Sequence, residues 1–114
     1  MLIDLPFPHK LLWPNGRTRQ SAWKRKEQAK AKDWAFLAAK AATRPDSLSA
    51  PIPVALTVCA KPTGKNPDAD NCVAAAKYYL DGIALALGID DKDFAAPTVE
   101  YGPRASRFVI EIGG

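Results

Sequence analysis

Histidine is nearly absent from this chain. His9 is the only one among 114 residues, so any triad with serine or cysteine would have to be built on it, and no serine or cysteine arrangement around it suggests one. Cysteine is scarce as well. Cys59 falls in an apolar, strand-like run and Cys72 at a helix start, with no CxxC pair, so no zinc site is expected and both read as reduced structural residues. No apolar run approaches the roughly 18–20 residues that cross a bilayer. The opening Met1-Leu2-Ile3-Asp4-Leu5-Pro6 lacks the basic and apolar regions of a signal peptide. A cytoplasmic location, with no membrane partner and no small-molecule cofactor, is the expectation. Internal repeats, low-complexity tracts and a second composition zone are also missing, so residues 1–114 read as a single small domain.

What is present is an uneven charge distribution. The net charge is +4, yet half of the twelve acidic residues lie between Asp68 and Asp93. That window holds six aspartates against Lys77 and Lys92, a balance of −4. Clustered carboxylates are costly to keep ionised unless water, a cation or a base relieves them. From Arg17 to Arg44, nine lysines and arginines face only Glu27 and Asp33, a balance of +7. A basic patch beside an acidic pocket fits a hard divalent cation working on a polyanion such as a phosphate backbone. Taken alone, the basic run also fits a solvated helix face.

The elements read in the order β-α-β-α-β-β. Residues 1–6 form a short strand stopped by prolines, and Trp13-Pro14-Asn15-Gly16 is a turn. Residues 21–43, rich in Ala, Lys and Gln, form a helix ended by Arg44-Pro45-Asp46. Trp23, Trp34, Leu37, Ala38 and Ala41 recur at roughly helical spacing and are expected to be its buried stripe. Residues 51–61 form a strand with Val54, Leu56 and Val58 on one face. A second helix runs over 70–87 with Gly88 as C-cap. Residues 97–101 and 107–112 are strands expected to pair as a hairpin. This order indicates an α+β domain with two helices packed on a mixed sheet.

At about 100° per residue from Asp70, Lys77 falls at about −20° and Asp81 at about +20°. The three share a stripe beside the expected core face of Val73, Ala76, Leu80, Ile83 and Leu87. Asp68 and Asp70 leave one face if the chain is extended there, and otherwise serve as N-cap and first-turn acids. Lys77 and Asp81 also form an ordinary i,i+4 ion pair. A loop after the helix that folded back would return Asp90 or Asp91 toward Asp70. Three carboxylates on Mg²⁺ would suit phosphodiester hydrolysis, with a nearby lysine stabilising charge on the phosphate.

These residues resemble the RusA-type Holliday-junction resolvases found largely in bacteria and their prophages. The resemblance rests on Leu5-Pro6-Phe7-Pro8, the Pro14-Asn15-Gly16-Arg17 turn before a basic helix, and Pro67-Asp68-Ala69-Asp70-Asn71. It continues through Leu80-Asp81-Gly82-Ile83 to Gly88-Ile89-Asp90-Asp91. It implies a homodimeric, Mg²⁺- or Mn²⁺-dependent endonuclease that nicks four-way DNA junctions symmetrically. Asp68 and Asp70 match the paired metal-binding aspartates and Asp91 the third carboxylate, with Asp90 as its alternative. The family's helix lysine, four residues past the second aspartate, falls here on Ala74. Lys77, roughly 5 Å further along the same stripe, is the nearest substitute. Arg17, Arg19, Lys24, Arg25, Lys26 and Lys30 become the expected phosphate contacts, which position DNA without reading sequence. Tyr78 and Tyr79 are the candidates for an aromatic wedge that some members carry. The competing readings are a non-catalytic branched-DNA-binding module and a related phage nuclease acting on flaps or other branched DNA.

Overall fold

Ser21 opens the first long helix by accepting a hydrogen bond from the Lys24 N–H at 3.1 Å, which satisfies one of the helix's free donors. The computed structural model describes residues 1–14 and 21–113. Arg17, Arg19 and most of the Pro14–Arg17 turn lie outside the described residues. The elements are β1 (Leu2–Pro6), α1 (Ala22–Ala41), β2 (Val54–Cys59), α2 (Ala69–Leu87), β3 (Thr98–Tyr101) and β4 (Arg107–Ile112). Short 3₁₀ turns stand at Lys10–Leu12 and Asp91–Asp93. The four strands form one mixed sheet in the order β1-β4-β2-β3, and the two helices pack over it as an α+β arrangement. Among the described residues no helix is long and apolar enough to cross a membrane.

Alternation along the strands sets the core. Ile3 and Leu5, Val54, Leu56 and Val58, and Phe108, Ile110 and Ile112 are all buried, while their neighbours, apart from the buried Cys59, are exposed or half-buried. Leu5 pairs with Phe108 and Leu56 with Ile110, so one apolar face lies under the helices. Phe7 and Trp13 stack at 5.2 Å and both meet Phe108 edge-on. Cys59 and Cys72 are buried and free, as expected.

The hairpin expectation is corrected. β4 runs antiparallel between β1 and β2, and β3 pairs parallel with the other side of β2. Residues 102–106 therefore cross the end of β2 instead of turning back on β3. They are held by Gly102 N–H to Val58 O at 3.0 Å and Ser106 N–H to Ala60 O at 3.1 Å. Two interstrand spacings, about 10 Å, are within reach of such a link. A Cβ on Gly102 would stand 3.0 Å from Thr57 Cγ2 and 3.2 Å from Cys59 Sγ, so the crossing passes close against the end of β2.

The buried stripe of α1 is also corrected. Ala31, Ala35 and Ala39 face inward, whereas Trp23 is 71% exposed, Leu37 65% and Trp34 40%. Ala38 is half-buried and Ala41 exposed. The reason is a close approach between the helices. At Gly82 of α2 a Cβ would overlap the carbonyl oxygen of Lys32 and stand 3.0 Å from the Phe36 nitrogen. Only small residues fit between backbones at that range, so the large side chains of α1 turn outward. On α2, Ala76, Ile83 and Leu87 are buried as expected, and Val73 and Leu80 are half-buried. Cys72, Ala75, Tyr79, Gly82, Ala84 and Ala86 are buried too, because α2 is covered by both the sheet and α1.

Both ends of α2 carry readable signals. Gly88 adopts φ 71° and caps the C-terminus, its N–H bonding back to Leu85 O at 3.2 Å. Arg44 donates to the Leu87 carbonyl at 3.2 Å. At the N-terminus, Asp68 occupies the cap position with no side-chain capping bond.

Candidate active site

The acidic window separates into parts with different surroundings. Asp68 is extended at φ −62°, ψ 144°, and Asp70 lies in the first turn of α2. Both are exposed, and neither carboxylate has a hydrogen-bond or ion-pair partner among the described residues. The helix-capping explanation of Asp68 therefore does not apply to its side chain. Free backbone donors at a helix start nonetheless favour anions there.

The segment that delivers Asp68 is pinned from the far edge of the sheet. Tyr101, the last residue of β3, donates from its hydroxyl to the Pro67 carbonyl at 2.6 Å. The Cys72 thiol points at the same carbonyl, at 3.8 Å. Burial pushes the Cys72 thiol up, with the Tyr101 hydroxyl opposing that shift and the Asp68 charge adding to it. Tyr101 was not recognisable from sequence. Its role depends on β3 lying beside β2, where the hairpin expectation did not put it.

After Gly88 the chain folds back along α2 and brings Asp91 to Lys77 and Asp81, not to Asp70. Asp91 lines a cleft of about 310 Å³ together with Val73, Ala74, Lys77, Asp81 and Phe94. A shallower groove of about 330 Å³ places Lys32 of α1 with Lys77, Asp81, Asp90 and Asp91. Lys32 belongs to the basic helix but was not among the expected contacts, because its direction depends on how α1 rolls onto α2.

Asp90 and Asp91 divide their work. Asp90 accepts from the Lys92 N–H at 3.0 Å, and its own N–H is held by Asp93 Oδ2 at 3.2 Å. That reciprocal cap gives Asp93 a structural role. The Lys92 N–H and the Asp91 side chain together hold the Asp90 carboxyl below its usual range. The Asp91 carboxyl is raised, first by its contact with Asp90, then by desolvation and the charge of Asp81, while Lys77 pulls it down. Asp91 is thus the member of the pair that projects among the cleft residues without a capping duty.

Lys77 donates to Asp81 at 3.3 Å, the expected i,i+4 pair. The lysine end is 61% exposed, so the pair contributes about 0–1 kcal/mol and leaves the ammonium accessible. Tyr79 is corrected as a wedge candidate: it is buried, and its hydroxyl donates to Pro6 O at 2.7 Å. Tyr78 is half-buried and accepts from Gln28 Nε2 at 2.9 Å, joining α2 to α1. Lys24, Arg25, Lys26 and Lys30 all lie on α1. Lys26 stands over the Trp23 ring at 5.7 Å and Lys30 over Trp34 at 4.7 Å.

Among the described residues no three His, Cys, Asp or Glu side chains gather closely enough to enclose a metal ion. Asp91 meets Lys77 and Asp81 rather than joining Asp68 and Asp70 in one group. The donor chemistry of Asp68 and Asp70 still fits a hard divalent ion, since both offer unpartnered carboxylate oxygens. Mg²⁺ commonly takes one or two carboxylates and fills its shell with water.

Fold and site together define a small α+β protein whose acidic helix start and carboxylate cleft lie beside a basic helix. No family model matches the chain. An uncharacterized protein of Xylella fastidiosa is 40% identical over 119 aligned residues, covering 98% of this chain and 75% of that protein. The chain belongs to the same family as that protein.

Proposed function

We propose that this protein is a Mg²⁺-dependent endodeoxyribonuclease of the RusA type, with Mn²⁺ as the alternative ion. It resolves four-way DNA junctions by paired symmetric nicks in recombination and repair. The observation that carries the reading is the pair Asp68 and Asp70, unpartnered at the start of α2 and on the same helix as Lys77. Asp68 and Asp70 would hold the ion, while Asp91, the third carboxylate that the resemblance implies, stands with Lys77 and Asp81 in the neighbouring cleft. Such an ion supplies Lewis acidity toward a phosphoryl oxygen and lowers the pKa of a bound water. Lys77 Nζ stabilises charge developing on the phosphate, while Lys24, Arg25, Lys26, Lys30 and Lys32 hold backbone phosphates. The protein acts as a homodimer, because one small site cannot nick two opposed strands at once.

A second reading, a branched-DNA-binding module that does not cut, is favoured by Ala74 in the lysine position and by the separation of Asp91 from Asp68 and Asp70. A labelled four-way junction incubated with and without Mg²⁺, beside Asp70→Asn, separates the two. Metal-dependent paired nicks that vanish in the variant support the nuclease. Tight binding without cutting under any divalent ion supports the module. Comparing junction, flap and linear duplex then tests the alternative of a phage nuclease acting on flaps.

A further inference from the structure

The outward stripe of α1 is an unusual surface. Taking about 100° per residue from Trp23, Lys30 lies at about −20°, Trp34 at about +20° and Leu37 at about −40°. One line along the helix thus presents Trp23, Lys30, Trp34 and Leu37, with the two tryptophans roughly 17 Å apart. Both rings are open to solvent, at 71% and 40% exposure, and each has a lysine ammonium above it. Trp13, by contrast, is stacked on Phe7 and bonded through Nε1 to Pro8 O at 3.1 Å. The stripe lies about half a turn around α1 from Lys32, which borders the carboxylate groove, so it is a separate surface.

Charge decides what covers it. α1 carries Lys24, Arg25, Lys26, Lys30, Lys32 and Lys40 against Glu27 and Asp33, a balance of +4. None of these cations is in an ion pair among the described residues. Seating α1 on α1 of a second copy would bring two such helices together and crowd like charges. A polyanion with flat aromatic groups satisfies both halves of the stripe: phosphates meet the lysines and bases stack on the indoles.

We propose that Trp23 and Trp34 form a stacking platform for an unpaired DNA strand, held by Lys26 and Lys30. The platform rests on the DNA-binding part of the function proposed above, and not on cleavage. It holds strand that the junction exposes, on a face of the protein away from the carboxylates.

The test is tryptophan fluorescence of the full chain titrated with oligo(dT), with inorganic polyphosphate as the charge-only probe. Oligo(dT) is expected to quench strongly and polyphosphate weakly. Trp34→Leu and Trp23→Ala should each weaken oligo(dT) binding by roughly 5- to 100-fold and leave polyphosphate binding unchanged. Because these variants remove no charge, the slope of oligo(dT) affinity with salt should stay the same, whereas Lys30→Ala should lower it by about 0.7. Circular dichroism and retained Trp13 emission report that each variant is folded. Equal oligo(dT) affinity in folded variants overturns the platform. So does a loss of self-association in Trp34→Leu with DNA binding intact, which would make the stripe an interface between copies. Oligo(dT) binding that depends on the tryptophans, in a protein that never cuts a junction, supports the platform while removing the nuclease.

Discussion

Tyr101 and Pro67 are joined by a 2.6 Å hydrogen bond from the tyrosine hydroxyl to the proline carbonyl. The bond ties the end of the outer strand to the residue just before Asp68. A contact from the sheet edge thereby fixes how the candidate metal-binding segment enters α2.

Tyr101→Phe should therefore loosen Asp68 with little effect on the core. A loss of about 1 kcal/mol is expected from the missing bond, measured by urea denaturation. Mn²⁺ affinity, measured by calorimetry, should fall several-fold by comparison with wild type. Unchanged metal affinity would remove Tyr101 from any positioning role.

Lys77 and Ala74 offer a sharper test of the chemistry. Both line the cleft that holds Asp91, one where the resemblance implies a lysine and the other where this chain carries one. Lys77→Ala should slow junction cleavage by about 100-fold, the scale for losing one charge-stabilising donor. Adding Ala74→Lys to that variant should restore much of the rate. Wild-type cleavage by Lys77→Ala would show that the substitute lysine has no part in the reaction.

Gly82→Ala should destabilise the whole molecule. The added methyl would overlap the Lys32 carbonyl oxygen, and backbone cannot swing aside as a flexible side chain can. Overpacking of this kind costs about 1–3 kcal/mol. A urea midpoint equal to wild type would mean that the helices separate more easily than their packing implies.

Alkaline stability should report on Tyr79. Burial pushes its hydroxyl from an ordinary value of 10.0 up to about 12. The folded state holds the proton more tightly than the unfolded chain, so stability is fully present below pH 10 and declines as pH rises toward 12. Tyr79→Phe should cost about 1 kcal/mol near neutrality through the lost bond to Pro6 and flatten that alkaline decline. Denaturation midpoints taken from pH 8 to about 11 would show it, and parallel curves for the two proteins would contradict it.

Local signals are legible where the chemistry is local. Pro45 beyond α1, the alternation of Val54, Leu56 and Val58, and the left-handed Gly88 depend only on neighbouring residues. What sequence could not reveal depends on distant ones. Trp23 and Trp34 have the spacing of a core stripe, but Gly82 draws the helix backbones so close that alanines fill the seam. Thr98–Tyr101 and Arg107–Ile112 look like hairpin arms, yet β2 and β4 share a longer apolar register and β4 takes the inner place. In the candidate site, Asp68, Asp70 and the Lys77–Asp81 pair were legible on one helix. Tyr101 and Lys32 were not, since each reaches the site from another element.

Under the proposed function, in which one helix would hold DNA and the next carries carboxylates, the seam between Gly82 and Lys32 acquires a mechanical meaning. Helices that touch backbone to backbone have no cushion of long side chains to compress. On the proposed function they behave as the locked jaws of a caliper. The interval between gripped strand and cutting site would then be a fixed length set by the packing, and a substrate would be selected by whether its branches match it.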